Sequence, residues 1–550
     1  MLQGCMGWPD DLAARYRAAG LWEGVTIPEM VERTARSQPE KIAIVCGERR
    51  ISYAELIRRS RLLAFGFAQS GISAGERVVM QLPNIPEFVT TYLALNWIGA
   101  IPVMALRAHR HAEVRHFLDA SGAIAYVVAD RVGGFDYRDM ARDLRPQCQA
   151  LRHIIVAGEP AAGQIALDDL FDASISEAQV TAQLRKLRPA PGEVATMLLS
   201  GGTTSMSKLI PRTHDDYVLN ARLCGAAAGF DRNTVFLALL PLGHNYNLAS
   251  PGLLGTFYHG GTVIIGTGTS AEEVFAAVEQ ERVTVIAAVV PLISNWLNSD
   301  APGRFDVSSL RVIQNGGARL APELRVRLRT RLRCTPQEIY GTAEGLINMT
   351  GLDDPEALLM HSSGAPVSKH DEIRVVDDSG KEVADGVAGE LVTRGPYTIR
   401  GYYNAPEKNA EAFLPGGWYR MGDIVRREGR HVFTEGRRKD LINRGGEKIS
   451  CEEIENLIFA HPKVKSVVLV AMPDPVFGEK ACACVVLKSG ETLGFDELMV
   501  FLRAKQIASF KLPERLEVMT EFPVSPVGKI LKSKLREQIA EKLASENQTA

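Results

Sequence analysis

The chain has little of what marks a secreted, membrane-spanning or nucleic-acid-binding protein. Its 8 cysteines are scattered over 550 residues without a C-x-x-C pair, and Cys482 and Cys484 form only C-x-C. That pattern argues against a disulfide framework and against a zinc site. Neither sign of charge predominates. Lys+Arg number 63 against Asp+Glu 65, so no nucleic-acid partner and no anionic membrane surface is indicated. Long apolar runs are also missing. The longest, Val283 to Ile293, is interrupted by Thr284 and Pro291 and is too short to cross a bilayer. Met1 to Asp11 lacks a basic stretch followed by an apolar one, so no signal peptide is expected. These absences together predict a soluble protein of the reducing cytoplasm.

What is present is enough for several cores. A length of 550 residues exceeds one ordinary domain, and 46% of residues are hydrophobic. Thr26-Ile27-Pro28-Glu29 and Ser52-Tyr53-Ala54-Glu55 read as capping boxes that open helices. Leu56, Leu63 and Phe67 follow the second on one face. Strands are predicted at 42–45, 77–82, 101–104, 123–128 and 153–156, with a helix over 86–98 among them. Strands alternating with helices imply α/β layers on a mainly parallel sheet. Further strands are expected at 283–290, 311–314 and 337–340. From Glu372 onward short strands and turns describe a β-rich subdomain. A stretch dense in charge and glycine near 430–446 suggests a boundary, and a smaller unit follows. There Ser450 and Glu453 form another capping box, and Asp496 to Gln506 and the tail from Lys534 read as helical. The expected architecture is thus a large N-terminal domain of layered α/β subdomains plus a β-rich subdomain, residues 1–438, and a small mobile α+β C-terminal domain, residues 439–550.

One stretch departs from ordinary loop composition. After the apolar strand Val194 to Leu199 comes Ser200-Gly201-Gly202-Thr203-Thr204-Ser205-Met206-Ser207-Lys208. Backbone N–H groups freed by two glycines, several hydroxyls and one cation suit a polyphosphate. The G-x-x-x-x-G-K-[ST] spacing of P-loop NTPases is absent. A second glycine run, Gly266-Thr267-Gly268-Thr269-Ser270-Ala271, formally matches a dinucleotide fingerprint. The next strand ends without an acidic residue for a ribose, so a tight strand-to-helix turn is the better reading.

The order within the first stretch, followed by Ile210-Pro211-Arg212-Thr213-His214, resembles the phosphate loop of the adenylate-forming (ANL) superfamily, although most members have Gly at Ser205 and Pro at Ser207. Further segments resemble the same superfamily in the same order. Asn315-Gly316-Gly317-Ala318 resembles the segment packed against adenine. Tyr340-Gly341-Thr342-Ala343-Glu344 resembles the motif whose aromatic ring stacks on adenine, whose Thr meets the α-phosphate and whose Glu holds Mg²⁺. Tyr419-Arg420-Met421-Gly422-Asp423 resembles the segment whose Asp binds the ribose hydroxyls. Gly436-Arg437-Arg438-Lys439-Asp440 resembles the inter-domain hinge, and Asn443 to Ile449, with Gly445 and Gly446, the loop that meets a pantetheine thiol. Pro523 to Lys529 resembles the loop carrying the catalytic lysine. The resemblance implies ATP and Mg²⁺ as cofactors. It assigns Lys529, His244 and Glu344 to catalysis, with Glu344 as the metal ligand. Ser200, Gly201, Gly202, Thr203, Thr204, Lys208, Gly316, Gly317, Ala318, Tyr340, Gly341, Thr342, Asp423, Arg437 and Lys439 fall to the nucleotide.

The acid is addressed by Gly243-His244-Asn245-Tyr246-Asn247-Leu248-Ala249-Ser250-Pro251-Gly252. His-Asn-Tyr with Ser-Pro-Gly beyond it is similar to the stand-alone aryl-acid adenylating enzymes of siderophore-type pathways. Glu344 to Asn348, Leu352 to Pro355 and the opening Trp8-Pro9, Tyr16 and Trp22 agree. The resemblance implies a pocket of Asn245, Tyr246, Ser250, Gly316 and Ile347. Physically, Asn245 can hydrogen-bond an ortho hydroxyl and Tyr246 can wall a ring. In the subgroup Ser at position 250 accompanies 2,3-dihydroxybenzoate and Cys accompanies salicylate, whereas Ile347 favours neither acid. Asn247 stands where Pro is usual and Met349 where an aromatic is common, which leaves amino- and heteroaryl acids open. The expected protein activates a small aromatic acid as its adenylate and transfers it to the phosphopantetheine of an aryl carrier protein. The alternatives are a benzoate-type aryl-CoA ligase and a non-catalytic adenylate-binding protein of the same fold.

Overall fold

A computed structural model describes residues 1–172, 174–200, 207–437, 441–444, 447–505, 507–525 and 530–549. Among these, two large sheets organise the N-terminal part. One is seven-stranded and runs Leu209–Thr213, Val194–Leu199, Ile101–Met104, Arg77–Gln81, Ala125–Ala129, His153–Ala157, Ile165–Ala166 from edge to edge. The other is nine-stranded: Ala365–Pro366, Ile347–Met349, Thr335–Gly341, Val312–Gly316, Val285–Ala288, Val235–Ala238, Thr262–Ile265, Ile42–Cys46, Arg49–Ser52. The inner neighbours pair in parallel; the edges pair antiparallel except Ile165–Ala166, which joins the seven-stranded sheet in parallel. Parallel strands need helices over both faces, which is why Val78, Val79 and Met80 are all fully buried. Helix Pro86–Trp97 is buried on every side, and helix Tyr53–Gln69 buries Leu56, Leu63 and Phe67 as its spacing predicts.

Several local expectations are corrected. Thr26 and Glu29 do form a reciprocal capping box. Ser52 and Ser450 each cap their helices, but Glu55 turns to Arg58 and Glu453 to Lys511. A charged partner attracts those carboxylates more strongly than a backbone N–H does. The strand expected over 283–290 is Val285–Ala288, because Val290 already opens helix Val290–Asn298 with Pro291 in its first turn. At the rejected dinucleotide turn, a Cβ on Gly268 would lie 2.1 Å from Glu273. That carboxylate caps the helix N-terminus through Ser270 N–H at 3.2 Å, in the place a pyrophosphate would need.

The β-rich subdomain is a five-stranded antiparallel sheet of Glu372–Val376, Gly389–Arg394, Phe413–Leu414, Trp418–Glu428 and His431–Arg437. The C-terminal part has a sheet of its own: Ile442–Arg444, Glu447–Ile449, Gly478–Leu487, Val464–Asp474 and Arg515–Met519. Its two faces bury different sets. Ala481, Ala483 and Val485 lie under helices Cys451–Phe459 and Phe495–Arg503, whereas Cys482 and Cys484 lie under helix Lys532–Thr549 with Leu535 and Ile539. The C-x-C pattern is therefore the alternation of one strand. Arg319 bridges the two parts through a 3.0 Å ion pair to Glu452, which also accepts from Thr434. Burial pushes the Glu452 carboxyl up to about 7. Among the described residues no helix is long and apolar enough to cross a membrane.

Candidate active site

The parallel strands of the nine-stranded sheet deliver the candidate residues at their carboxyl ends. Val235–Ala238 leads to His244, Val312–Gly316 ends on Gly316, and Thr335–Gly341 carries Tyr340 and Gly341. Gly316 and Ile339 are register partners, so the two segments expected around adenine sit side by side. Side chains at the ends of adjacent parallel strands converge on one crevice.

The phosphate-loop strand belongs to the other sheet. Val194–Leu199 and Leu209–Thr213 form a hairpin. Ser200 N–H donates to Lys208 O at 3.0 Å and Lys208 N–H to Ser200 Oγ at 2.9 Å, which closes the neck of the loop. Gly201, Gly202, Thr203 and Thr204 lie outside the described residues. Lys208 Nζ stands 4.2 Å from the centre of the Tyr402 ring. The Tyr402 hydroxyl donates to Glu344 Oε1 at 2.9 Å. The loop cation and the expected metal ligand are thus brought to one place by an aromatic residue between them. Burial and the Glu344 carboxylate push the Tyr402 phenol up, which keeps it a hydrogen donor. Thr342 Oγ1 is buried with no partner among the described residues. A carboxylate and an unpartnered hydroxyl are the oxygen donors that suit Mg²⁺.

Arg212 secures this arrangement from below. It is fully buried, pairs with Asp216 at 2.8 Å and donates to Ala343 O and Tyr397 O at 2.9 and 3.1 Å. A buried ion pair persists only when its remaining hydrogens find partners, and here the partner is the backbone between Thr342 and Glu344. Next to it, His214 accepts from Ile27 N–H through Nδ1, and burial lowers its pKa to about 3, so it stays neutral.

For the nucleoside, Tyr340 donates to Asp423 Oδ2 at 2.8 Å. A Cβ on Gly316 would lie 2.9 Å from the Tyr246 ring, and one on Gly341 2.7 Å from Ile347 Cδ1. Both glycines are places where a backbone and a pocket wall meet closely. Gly317 takes a φ of 84° and is exposed with Ala318 beside it.

Of the residues expected at the acid pocket, Asn245 and Tyr246 open helix Asn245–Ala249 and Ser250 ends it. His244 caps that helix, its Nδ1 accepting from Tyr246 N–H at 3.3 Å, and is itself exposed. Asn245, Tyr246, Ser250 and Ile347 are buried. Asn245 Nδ2 donates to Ser250 Oγ at 3.2 Å, so the two polar residues act as a unit. Asn247 is turned away from the pocket toward Leu240 O.

Lys439, Gly445, Gly446 and Lys529 lie outside the described residues, as does the side chain of Arg437, whose backbone ends the strand His431–Arg437. Either side of Lys529, Val524 and Ile530 form a bridge and Leu531 donates to Pro523 O at 2.8 Å. Sequence reasoning missed Tyr402 and the role of Arg212. Arg212 fell inside a quoted motif, and nothing in the local pattern marks Tyr402.

The chain matches the model for the AMP-binding enzyme over residues 31–403 and that for the AMP-binding enzyme C-terminal domain over 453–529. It is 44% identical over 545 residues to a 2,3-dihydroxybenzoate-AMP ligase of Bacillus subtilis, covering 99% of both chains. It is 42% identical to a salicyl-AMP ligase / salicyl-S-ArCP synthetase of Mycobacterium tuberculosis, covering 98% of this chain and 95% of that one. Among solved structures, the apo form of Mycobacterium smegmatis MbtA superposes with a TM-score of 0.74 at 39% identity, over 97% of this chain and 99% of the other.

Proposed function

Because this chain belongs to the AMP-binding enzyme family, matched in both its large and its small part, we propose that it uses ATP to activate a hydroxylated benzoic acid and hands the aryl group to the phosphopantetheine thiol of a carrier protein. It is an aryl-acid AMP ligase of the kind that serves siderophore and nonribosomal peptide synthesis. In the first step a carboxylate oxygen bonds to the α-phosphorus of ATP and the bond to pyrophosphate breaks. The acid is already ionised at neutral pH, so no base is needed. The difficulty is bringing two anions together, which calls for positive charge and alignment. In the second step a thiol sulfur attacks the mixed anhydride, the thioester forms and AMP leaves.

The roles are assigned from the family motifs, supported for the described residues by their contacts. Lys208 and the loop at Ser200 take the β- and γ-phosphates. Tyr340 and Gly316 flank the adenine, and Asp423 takes the ribose. Glu344 and Thr342 would hold Mg²⁺, which neutralises phosphate charge when bound. Lys529 bridges the carboxylate and the α-phosphate. His244 lies at the mouth of the acid pocket, and Asn245, Tyr246, Ser250 and Ile347 line it. Residues 439–550 form the domain that turns between the two steps, with Lys439 at its pivot and Gly445-Gly446 facing the thiol arm. The observation that carries this reading is the stack of Lys208, Tyr402 and Glu344. It sets a cation and a carboxylate from separate elements at one spot, beside a pocket whose polar residues are buried.

ATP–pyrophosphate exchange with a panel of aryl acids tests it. Exchange is expected with 2,3-dihydroxybenzoate or salicylate, followed by aryl transfer to a phosphopantetheinylated carrier protein. Absence of exchange with every aryl acid would sink the reading. Thioester formation with coenzyme A but not with carrier proteins would make the chain an aryl-CoA ligase.

A further inference from the structure

Segment 395–403 leaves the β-rich subdomain after strand Gly389–Arg394 and touches both large sheets. Ile399 N–H donates to Glu344 O at 2.8 Å, just beyond strand Thr335–Gly341 of the nine-stranded sheet. Tyr403 N–H donates to Leu209 O at 3.0 Å, on the seven-stranded sheet and next in the chain to Lys208. Tyr402 lies between these two anchors. The Asn409 side chain clamps its backbone from both sides, with Oδ1 accepting from Tyr402 N–H at 2.7 Å and Nδ2 donating to Tyr402 O at 3.0 Å. A backbone N–H only donates and a carbonyl only accepts, so this amide has one orientation. Phe413 packs edge-on against the Tyr402 ring, with centres 5.8 Å apart. Tyr402 is 1% exposed, and its backbone and ring are fixed by the protein itself.

That one residue touches two opposite charges. Its hydroxyl donates to Glu344 Oε1 at 2.9 Å, and Lys208 Nζ stands 4.2 Å from its ring centre. The phenol has a single hydrogen, and the carboxylate takes it. The ring lies between the ammonium and the carboxylate. Opposite charges attract strongly away from water, and a lysine head on a flexible four-carbon stem follows that attraction. With the ring gone, Lys208 would move onto the buried Glu344. Such a pair would withdraw the cation from phosphate and the carboxylate from a metal ion. Resting on the functional reading above, we propose that Tyr402 is a positioning residue that keeps Lys208 and Glu344 apart: its hydroxyl orients Glu344 toward Mg²⁺, and its ring holds Lys208 for the phosphates. The two contacts assign two separable effects. Removing the hydroxyl disturbs the carboxylate alone. Removing the ring lets both charges meet.

The test is calorimetric binding of an ATP analogue with a methylene between its α- and β-phosphorus, in Mg²⁺ and in EDTA, so that no turnover occurs. Tyr402→Phe keeps the ring and its packing. It should weaken binding in Mg²⁺ about tenfold and leave binding in EDTA within about twofold. Tyr402→Leu removes the ring as well and should weaken binding in EDTA about fivefold. A double-mutant cycle reads the capture of Lys208. Glu344→Gln should raise the EDTA affinity about fivefold more in the Tyr402→Leu background than in the unaltered protein, because it removes the carboxylate that holds the lysine. A loss of packing alone would weaken binding alike in both buffers and would show no such rescue. If Tyr402→Phe changes the two affinities equally or not at all, or if the cycle shows no coupling, the inference is overturned while the ligase reading stands. If the unaltered protein binds the analogue in neither buffer, the ligase reading falls and takes this inference with it.

Discussion

Tyr340 and Asp423 stand 83 positions apart, on strands of different sheets, and are joined by a 2.8 Å hydrogen bond from the phenol to Oδ2. The wall proposed for adenine thereby fixes the rotation of the carboxylate proposed for the ribose. Tyr340→Phe keeps a ring for stacking and removes the bond. A hydrogen bond to a charged group is worth about 1.5–3 kcal/mol, so the KM for ATP should rise about tenfold. The turnover number should stay within about twofold, because the ribose lies away from the reacting phosphorus. The ATP dependence of pyrophosphate exchange measures both. An unchanged KM would mean that another group orients Asp423.

Lys529 is proposed to contact both reacting anions, and its removal should affect one half-reaction only. Loss of a group that stabilises transition-state charge costs on the order of 10²–10³ in rate. Lys529→Ala should therefore lose adenylate formation by about that factor. Supplied with chemically prepared aryl-adenylate, the same variant should form thioester at close to the normal rate. Retained adenylation would remove Lys529 from the mechanism. Loss of both steps in a folded variant would give it a second role.

Asp371 offers a test of stability against pH. Burial raises its carboxyl from 3.8 to about 7, although the Tyr397 hydroxyl and Ser368 N–H bond to it. The folded protein thus keeps a proton that the unfolded chain has released. Its contribution to stability is complete below pH 3.8, declines as pH rises, and is gone above about 7. Asp371→Asn is neutral throughout. Relative to the unaltered protein, its stability should climb by about 2 kcal/mol between pH 5 and pH 8. Denaturant unfolding at several pH values measures the difference, and a flat line would mean that Asp371 titrates as an ordinary aspartate.

Much of the candidate site could be read because it is built from consecutive residues. The neck of the phosphate loop, the Gly316 and Gly341 turns and the His244 cap are local backbone arrangements, and short motifs encode them. Other groups had no such trace. Tyr402 lies 58 residues from the Glu344 it bonds, and Arg212 lies 131 from the Ala343 carbonyl it holds. Their side chains act on elements they do not neighbour in the chain. Capping boxes at Ser52 and Ser450 were misread for a related reason. Arg58 and Lys511 compete for the same carboxylates, and Lys511 reaches Glu453 from 58 positions away. The alternation of Cys482 and Cys484 was visible, but which face they take depends on where helix Lys532–Thr549 packs.

By itself the sequence determined the family and the division into a large α/β part and a small α+β part, and it named the residues proposed for phosphate, nucleoside and acid. Those follow from hydrophobic periodicity and from the order of short motifs, which chain neighbours carry. Only the tertiary structure showed what Asn245 and Ser250 bond to. Each can donate or accept, and their types leave their partners open. Tyr217 and Asn220 are those partners, because helix His214–Ala227 packs against Asn245–Ala249 and buries all four side chains together.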